Sequence, residues 1–198
     1  MALTRELVAE FVLVSHNDFS KATALLAQVP DLLNARYEKV NEDALQAAGH
    51  MGFREMAGYL LAKGAPLQIF AASTLGLLAE VKRFLHDDPQ LANAKGVHGI
   101  PLFYHAALSG RVDLLDTLYA AGGRQGMDFA LHGAVRPGHL EAVAWLLTHD
   151  LNGINRKNFE DKTPLKVAAE RGYGSIADLL ITAQWHAVGI SFCAGMPM

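Results

Sequence analysis

A glycine that recurs at one position of a repeated apolar pattern constrains this chain more than any other feature. The segment ending at Ile181 reads KTPLKVAAERGYGSIADLLI, and its Gly172 anchors a register that occurs six times. The other anchors are Asn17, Gly52, Gly76, Gly110 and Gly138, with spacings of 35, 24, 34, 28 and 34 residues. Self-similarity on this scale is typical of repeat proteins, whose units bury their apolar faces only against one another.

Each unit has the pattern of a short inner helix, a turn and an outer helix. Apolar residues four, five, eight and nine positions after the anchor form one stripe on a helix. Small residues three and four positions before the anchor allow neighbouring inner helices to lie close together. The anchor itself suits a left-handed turn, which glycine adopts freely and asparagine less readily. Thr163 and Pro164 form a helix start, with a capping hydroxyl followed by proline at the first helical position.

The pattern predicts the positions of ten helices. The inner helices are expected near 43–51, 67–75, 102–109, 128–136 and 164–171, and the outer helices near 53–63, 77–87, 111–121, 139–148 and 173–183.

The residues around the last anchor resemble the ankyrin repeat. KTPLKVAAERG is similar to the family signature TPLHxAAxxG, and INRKNFEDKTPL resembles the family's VNAxDxxGxTPL finger. The resemblance implies an all-α ankyrin-repeat solenoid of stacked helix-turn-helix units with a few β-hairpin fingers. We expect about six units over residues 1–181, with the first and last as caps, and an apolar C-terminal tail over 182–198. The short spacings leave room for fingers only near 34–43, 93–101 and 153–163.

The resemblance also implies a function, the binding of a partner protein on the concave face of the solenoid. In the family, the finger tips and the residues just before each anchor contact partners. By matched position these are Tyr37, Glu38, Lys39, His50, Met51, Thr74, Leu75, Val97, His98, Leu108, Ser109, Arg136, Pro137, Lys157, Phe159, Glu160, Glu170 and Arg171. Several are aromatic or aliphatic although they lie off the apolar stripe, as interface anchors do. Leu75 and Leu108 are the members most expected to be core instead.

Charge and cysteine content argue against several other classes of protein. Residues 1–100 hold 9 basic and 11 acidic side chains, and residues 101–198 hold 8 and 9, so neither half offers a basic surface for nucleic acid. No stretch is long and uncharged enough to span a membrane, and Glu6 and Glu10 interrupt the apolar N-terminal segment, which is not expected of a signal peptide. The single cysteine, Cys193, rules out a disulfide within the chain and favours a reducing, cytoplasmic location.

Catalytic and metal-binding signatures are weak. His98 and His105 could face one groove, but no cysteine or second histidine pair completes a zinc pattern. Glu160 and Asp161 lie on a solvated finger, where neither carboxyl group has a reason for a raised pKa. We therefore expect no catalytic residue, no metal site and no cofactor.

Two alternatives to partner binding stay open. One is a homo-oligomeric scaffold, which could pair weakly through the C-terminal tail. The other is a small-ligand or metal binder that uses the groove histidines. In the tail itself, Trp185 and Phe192 are expected to fold back over the last repeat as a cap.

Overall fold

The computed structural model describes residues 3–187 of the chain. Within that part, twelve α-helices follow one another in six hairpin-like pairs, and this confirms the predicted all-α ankyrin solenoid. The pairs are α1 (Arg5–Val14) with α2 (Phe19–Gln28), α3 (Ala44–Met51) with α4 (Arg54–Ala62), α5 (Ile69–Leu75) with α6 (Leu78–Asp87), α7 (Leu102–Ser109) with α8 (Val112–Ala120), α9 (Met127–Val135) with α10 (Leu140–His149), and α11 (Pro164–Glu170) with α12 (Gly174–Ala187).

The ten helices predicted from sequence, α3 to α12, begin and end within two residues of their predicted bounds, except that α12 continues to Ala187. The first residues of the predicted tail are thus helical, whereas Phe192 and the rest of 188–198 lie outside the described residues.

The helices form two rows. The odd-numbered helices α1 to α11 pack successively against one another in the inner row, and α6, α8, α10 and α12 do the same in the outer row. Small side chains make the inner row tight, because a Cβ on Gly133 of α9 would lie only 2.6 Å from the Tyr104 carbonyl oxygen of α7. Any larger residue at position 133 would force these two helices apart.

The turns between paired helices follow the predicted chemistry, with one exception. Gly52, Gly76, Gly110, Gly138 and Gly172 all have positive φ angles, between 70° and 87°. The first anchor, Asn17, is not among the residues with positive φ, since α1 instead ends at Ser15 in a right-handed conformation. At the start of α11, the Thr163 hydroxyl accepts a hydrogen bond from the Lys166 N–H, with Pro164 at the first helical position.

The three expected fingers differ in regularity. Strands β1 (Arg36–Tyr37) and β2 (Glu42–Asp43) form an antiparallel hairpin in which Arg36 lies opposite Asp43. The second finger has a single bridge between Lys95 and Pro101. The third is a loop closed by a hydrogen bond from the Asn158 N–H to the Lys162 carbonyl. Short 3-10 turns lie at Pro30–Leu32, Pro89–Asn93 and Val97–Gly99.

Two apolar cores run along the stack and meet at α5. The N-terminal core extends from Leu7 to Ala71, and the C-terminal core from Ile69 to Leu180. Each core contains fully buried side chains from several helix pairs. This is expected of a repeat protein, because a single unit cannot bury its apolar face alone. None of the helices in residues 3–187 is long and apolar enough to cross a membrane.

Candidate functional site

The inner helices and the loops beside them enclose a groove with a volume of about 530 Å³. Its walls come from distant repeats, since His50 and Met51 at the end of α3 line the same space as Glu170 and Arg171 at the end of α11. Across the groove, the Nη1 atom of Arg136 lies 4.0 Å from the Met51 sulfur, although the two residues are 85 positions apart. The second helix pair therefore faces the fifth and sixth directly.

The floor of the groove is apolar. Ile100, Tyr104, Leu108 and Phe129 form a small buried cluster separate from the two main cores, and three of them line the groove. The Tyr104 and Phe129 rings stack with their centroids 5.2 Å apart. Phe159, at the tip of the third loop, packs edge-to-face against Phe129, with the two ring centroids 5.3 Å apart. The Phe159 side chain is nevertheless 80% exposed. We refer to Ile100, Tyr104, Phe129 and Phe159 as the apolar shelf.

Charged side chains surround this shelf. Lys162 forms ion pairs with Glu160 at 2.9 Å and with Glu170 at 2.7 Å. The hydrogen bond from Lys162, with smaller contributions from Arg136 and Arg171, holds the pKa of Glu160 below its usual value. Among the described residues, neither Arg136 nor Arg171 has a carboxylate within ion-pair distance. The groove thus presents two guanidinium groups without an anionic partner.

The structure brings together one subset of the residues predicted to bind a partner. Eight of them line the groove: His50, Met51, His98, Arg136, Phe159, Glu160, Glu170 and Arg171. Lys157 lies on the other side of Phe159, in an adjoining open pocket. Glu38, Lys39 and Pro137 are exposed, and Val97 and Ser109 are half-buried, but none of these five lines the groove.

Four predicted partner contacts are partly or wholly covered by the protein itself. Thr74 is fully buried, and its hydroxyl donates a hydrogen bond to the Gly49 carbonyl at 3.0 Å. Leu108 is buried in the cluster with Ile100, Tyr104 and Phe129, as expected for one of the two leucines predicted to belong to the core. Leu75 and Tyr37 are half-buried because they pack against the N-terminal core. Thr74 and Leu108 therefore cannot contact a partner as surface groups.

The structure separates His98 from His105, the two histidines that the small-ligand or metal-binding alternative placed in one groove. His105 is only 2% exposed, and its Nδ1 atom lies 3.1 Å from the Thr74 hydroxyl oxygen, inside the inner row. Burial lowers the pKa of His105 to about 3, and the positive charge on His50 adds to this effect. His98 instead belongs to a different cluster, at the edge of the groove.

That cluster surrounds Glu42, which is 2% exposed in β2. Its carboxylate oxygens lie 3.7 Å from His16 Nε2, 3.2 Å from His50 Nδ1 and 3.4 Å from His98 Nε2. Burial alone would raise the pKa of Glu42, but contact with His50 and the charges of the three histidines keep that pKa below its usual value. We refer to these four residues as the histidine–glutamate cluster. Because these residues are far apart along the chain, no motif in the sequence predicted that they would lie together.

Comparison with known protein families agrees with this architecture. Residues 102–189 match the family model described as ankyrin repeats (3 copies), which covers the last three helix pairs. No curated protein matches the chain. The match over residues 102–189, together with the same helix-turn-helix architecture in α1 to α6, supports an ankyrin-repeat protein. Ankyrin repeats are generally protein-interaction modules and are typically not enzymes.

Proposed function

We propose that the protein binds a partner protein through the groove. The partner supplies an extended segment that places a large apolar side chain on the apolar shelf and a carboxylate between Arg136 and Arg171. One observation carries this proposal: an apolar floor and two guanidinium groups without a carboxylate partner line the same groove.

The two halves of this surface suit one ligand chemistry. Exposed aromatic groups next to a buried apolar floor are typical interface anchors. An apolar side chain of the partner is removed from water on both sides when it packs between the exposed ring and the floor, and this burial favours binding. Guanidinium groups bind carboxylates strongly when the contact is shielded from water, and the planar fork fixes the orientation of the ligand. Arg136 is half-buried in the wall of the groove and Arg171 is exposed at its edge, so the shielding is greater at Arg136.

Selection of binding peptides from a random library tests the proposal without knowledge of the natural partner. We expect the enriched peptides to combine an aromatic or large aliphatic residue with a nearby Asp or Glu. Arg171→Glu should weaken their binding at least tenfold, because it replaces attraction with repulsion. Phe159→Ala should also weaken binding, yet change the free energy of unfolding by no more than about 0.5 kcal/mol, since the ring is largely exposed.

Lys82→Glu is the matched control, because it makes the same charge change at an exposed position of the outer helix α6. It should leave peptide binding unchanged. The proposal is wrong if no peptide is enriched, or if the enriched peptides bind the Arg171 and Phe159 variants as tightly as the wild-type protein. A mass of two chains by light scattering would instead favour the homo-oligomeric scaffold.

A further inference from the structure

The four members of the histidine–glutamate cluster come from separate parts of the stack. His16 follows the end of α1, Glu42 lies in β2, His50 is in the last turn of α3, and His98 is in the 3-10 turn before α7. The cluster therefore joins the first, second and fourth helix pairs at one point. A ligand held by all four residues would connect these three units directly.

The carboxylate at the centre of the cluster lacks a sufficient set of hydrogen bonds. Glu42 is 2% exposed, and its Oε1 atom has no hydrogen-bond partner among the described residues. His50 Nδ1 is 3.2 Å from that oxygen, but it also lies 3.0 Å from the Gln46 carbonyl oxygen, to which it donates. A buried carboxylate with so few hydrogen bonds is costly unless positive charge, from the neighbouring histidines or from a bound cation, neutralises it.

Backbone contacts orient two of the histidines for metal binding. His16 Nδ1 lies 2.9 Å from the Val12 carbonyl oxygen and 3.1 Å from that of Leu13, which can only accept a hydrogen bond. The proton of neutral His16 is thus on Nδ1, and the lone pair on Nε2 faces the Glu42 carboxylate. The Gln46 carbonyl oxygen fixes His50 in the same tautomer, so His50 would bind a metal ion through Nε2 and not through Nδ1, the atom that lies 3.2 Å from Glu42 Oε1. Metal-binding histidines commonly donate the other ring N–H to a backbone carbonyl in this way.

The spacing of the ligand atoms also fits a metal ion. One ligand atom from each of His16, Glu42 and His50 lies within 4.8 Å of the others, and His98 Nε2 lies 3.4 Å from a Glu42 oxygen. In a tetrahedral site with bonds of about 2.0 to 2.1 Å, ligand atoms are separated by about 3.4 Å. The ligand atoms of His16, Glu42 and His50, which lie up to 4.8 Å apart, would have to approach one another by at most about 1.4 Å to reach this geometry.

We propose that His16, Glu42, His50 and His98 bind one zinc ion. Imidazole nitrogens with one carboxylate oxygen are ligands that zinc accepts in tetrahedral sites. The ion neutralises the buried carboxylate, occupies the space between it and the His16 lone pair, and ties the first, second and fourth helix pairs together. Its role is structural, and the test of zinc binding requires no partner, although His50 and His98 also line the groove.

Titration of the purified, metal-free full-length protein with Zn²⁺ tests this proposal. We expect one tight equivalent and a rise in the melting temperature, because an ion that binds only the folded state stabilises it. His16→Ala, His50→Ala and His98→Ala should each weaken binding by at least about 10- to 100-fold, the range seen even for loss of outer contacts. His86→Ala removes an exposed histidine from α6 and should leave the affinity unchanged.

His98→Ala keeps the test valid if the two more buried variants fold poorly, since the His98 side chain is 40% exposed. X-ray absorption of the zinc-loaded wild-type protein supplies a measurement that needs no variant. It should show imidazole and oxygen ligands at about 2.0 to 2.1 Å and no sulfur at about 2.3 Å. Weak binding shared equally by all variants, or a sulfur ligand from Cys193, would overturn the proposal.

Discussion

His105 is a buried histidine whose hydrogen bonding is only half complete. The Thr74 hydroxyl donates to Gly49 and therefore accepts from His105 Nδ1, while the Nε2 atom of His105 has no partner among the described residues. Burial lowers the pKa of this imidazole from 6.5 to about 3, with a smaller effect from the charge on His50. The folded protein thus keeps His105 neutral over a range in which the unfolded chain protonates it.

This difference in protonation predicts that His105 makes the free energy of unfolding decrease in acid. Between pH 6.5 and about 3 the unfolded state binds the extra proton, so the free energy of unfolding falls as the pH falls through this window. From pH 7 to pH 5 the contribution of His105 to this loss is about 2 kcal/mol. His105→Gln keeps a donor for Thr74 but does not titrate, so urea unfolding at several pH values should show a correspondingly shallower decline. His86→Gln is the control at an exposed histidine, and a slope equal to wild type in both variants would contradict the assignment.

At the scale of elements, α3 depends on a cap that also organises the first finger. The Asp43 side chain accepts a hydrogen bond from the Gln46 N–H at 2.9 Å, and the Gln46 side chain accepts one from the Asp43 N–H at 3.1 Å. Arg36 of β1 donates to the same Asp43 carboxylate at 3.0 Å. The cap therefore fixes the start of α3 to the hairpin that holds Glu42.

Removal of this cap should destabilise the protein by an amount typical of helix starts. Asp43→Ala is expected to lower the free energy of unfolding by about 1 to 2 kcal/mol, because the first turn of α3 loses its acceptor. Asp43→Asn retains an acceptor for the Gln46 N–H and loses the contacts of Oδ2 with Arg36 and, at 3.4 Å, with Gln68, so its effect should be clearly smaller. Urea unfolding in the presence of EDTA measures both without a contribution from metal. Equal losses in the two variants would mean that the ion pair, and not the cap, stabilises this junction.

The helices from α3 onward were predictable from sequence because each turn between paired helices has its own glycine. A left-handed turn and an apolar stripe at fixed distances from it are local properties, and they locate α3 to α11 within two residues. The fingers were less predictable, since only the first has enough backbone pairing to form strands. Helix α12 continued beyond its predicted end because no breaking residue follows Ile181 until Gly189.

The site was predictable only where it depends on position within a repeat. Residues just before an anchor, such as Met51 and Arg171, do line the groove. Thr74, two residues before its anchor like His50 and Glu170, is instead fully buried between the flanking inner helices. The histidine–glutamate cluster forms only because separate units come together in the folded stack. The spacing of its four residues along the chain does not predict that they are neighbours.

At the scale of the whole molecule, curvature is the property that creates the groove. In a straight stack, the second and sixth helix pairs are separated by four steps of about 8 to 10 Å, or about 32 to 40 Å in total. Here Met51 and Arg171, from those two pairs, line one groove of about 530 Å³. The inner row must therefore be compressed relative to the outer row, so that both the partner groove and the histidine–glutamate cluster depend on this shape.

Distances between paired spin labels test the curvature directly, in a Cys193→Ser background. Met51→Cys with Arg171→Cys places labels on the groove side, and Ala62→Cys with Thr182→Cys places them on exposed positions of α4 and α12, the outer helices of the same two pairs. We expect the groove-side separation to be well below the roughly 32 to 40 Å of a straight stack, and the outer separation to exceed the groove-side value. Each pair serves as the control for the other, because label length affects both equally. Similar separations on the two sides would show that the stack is straight in solution, and the groove would then not exist as one continuous binding surface.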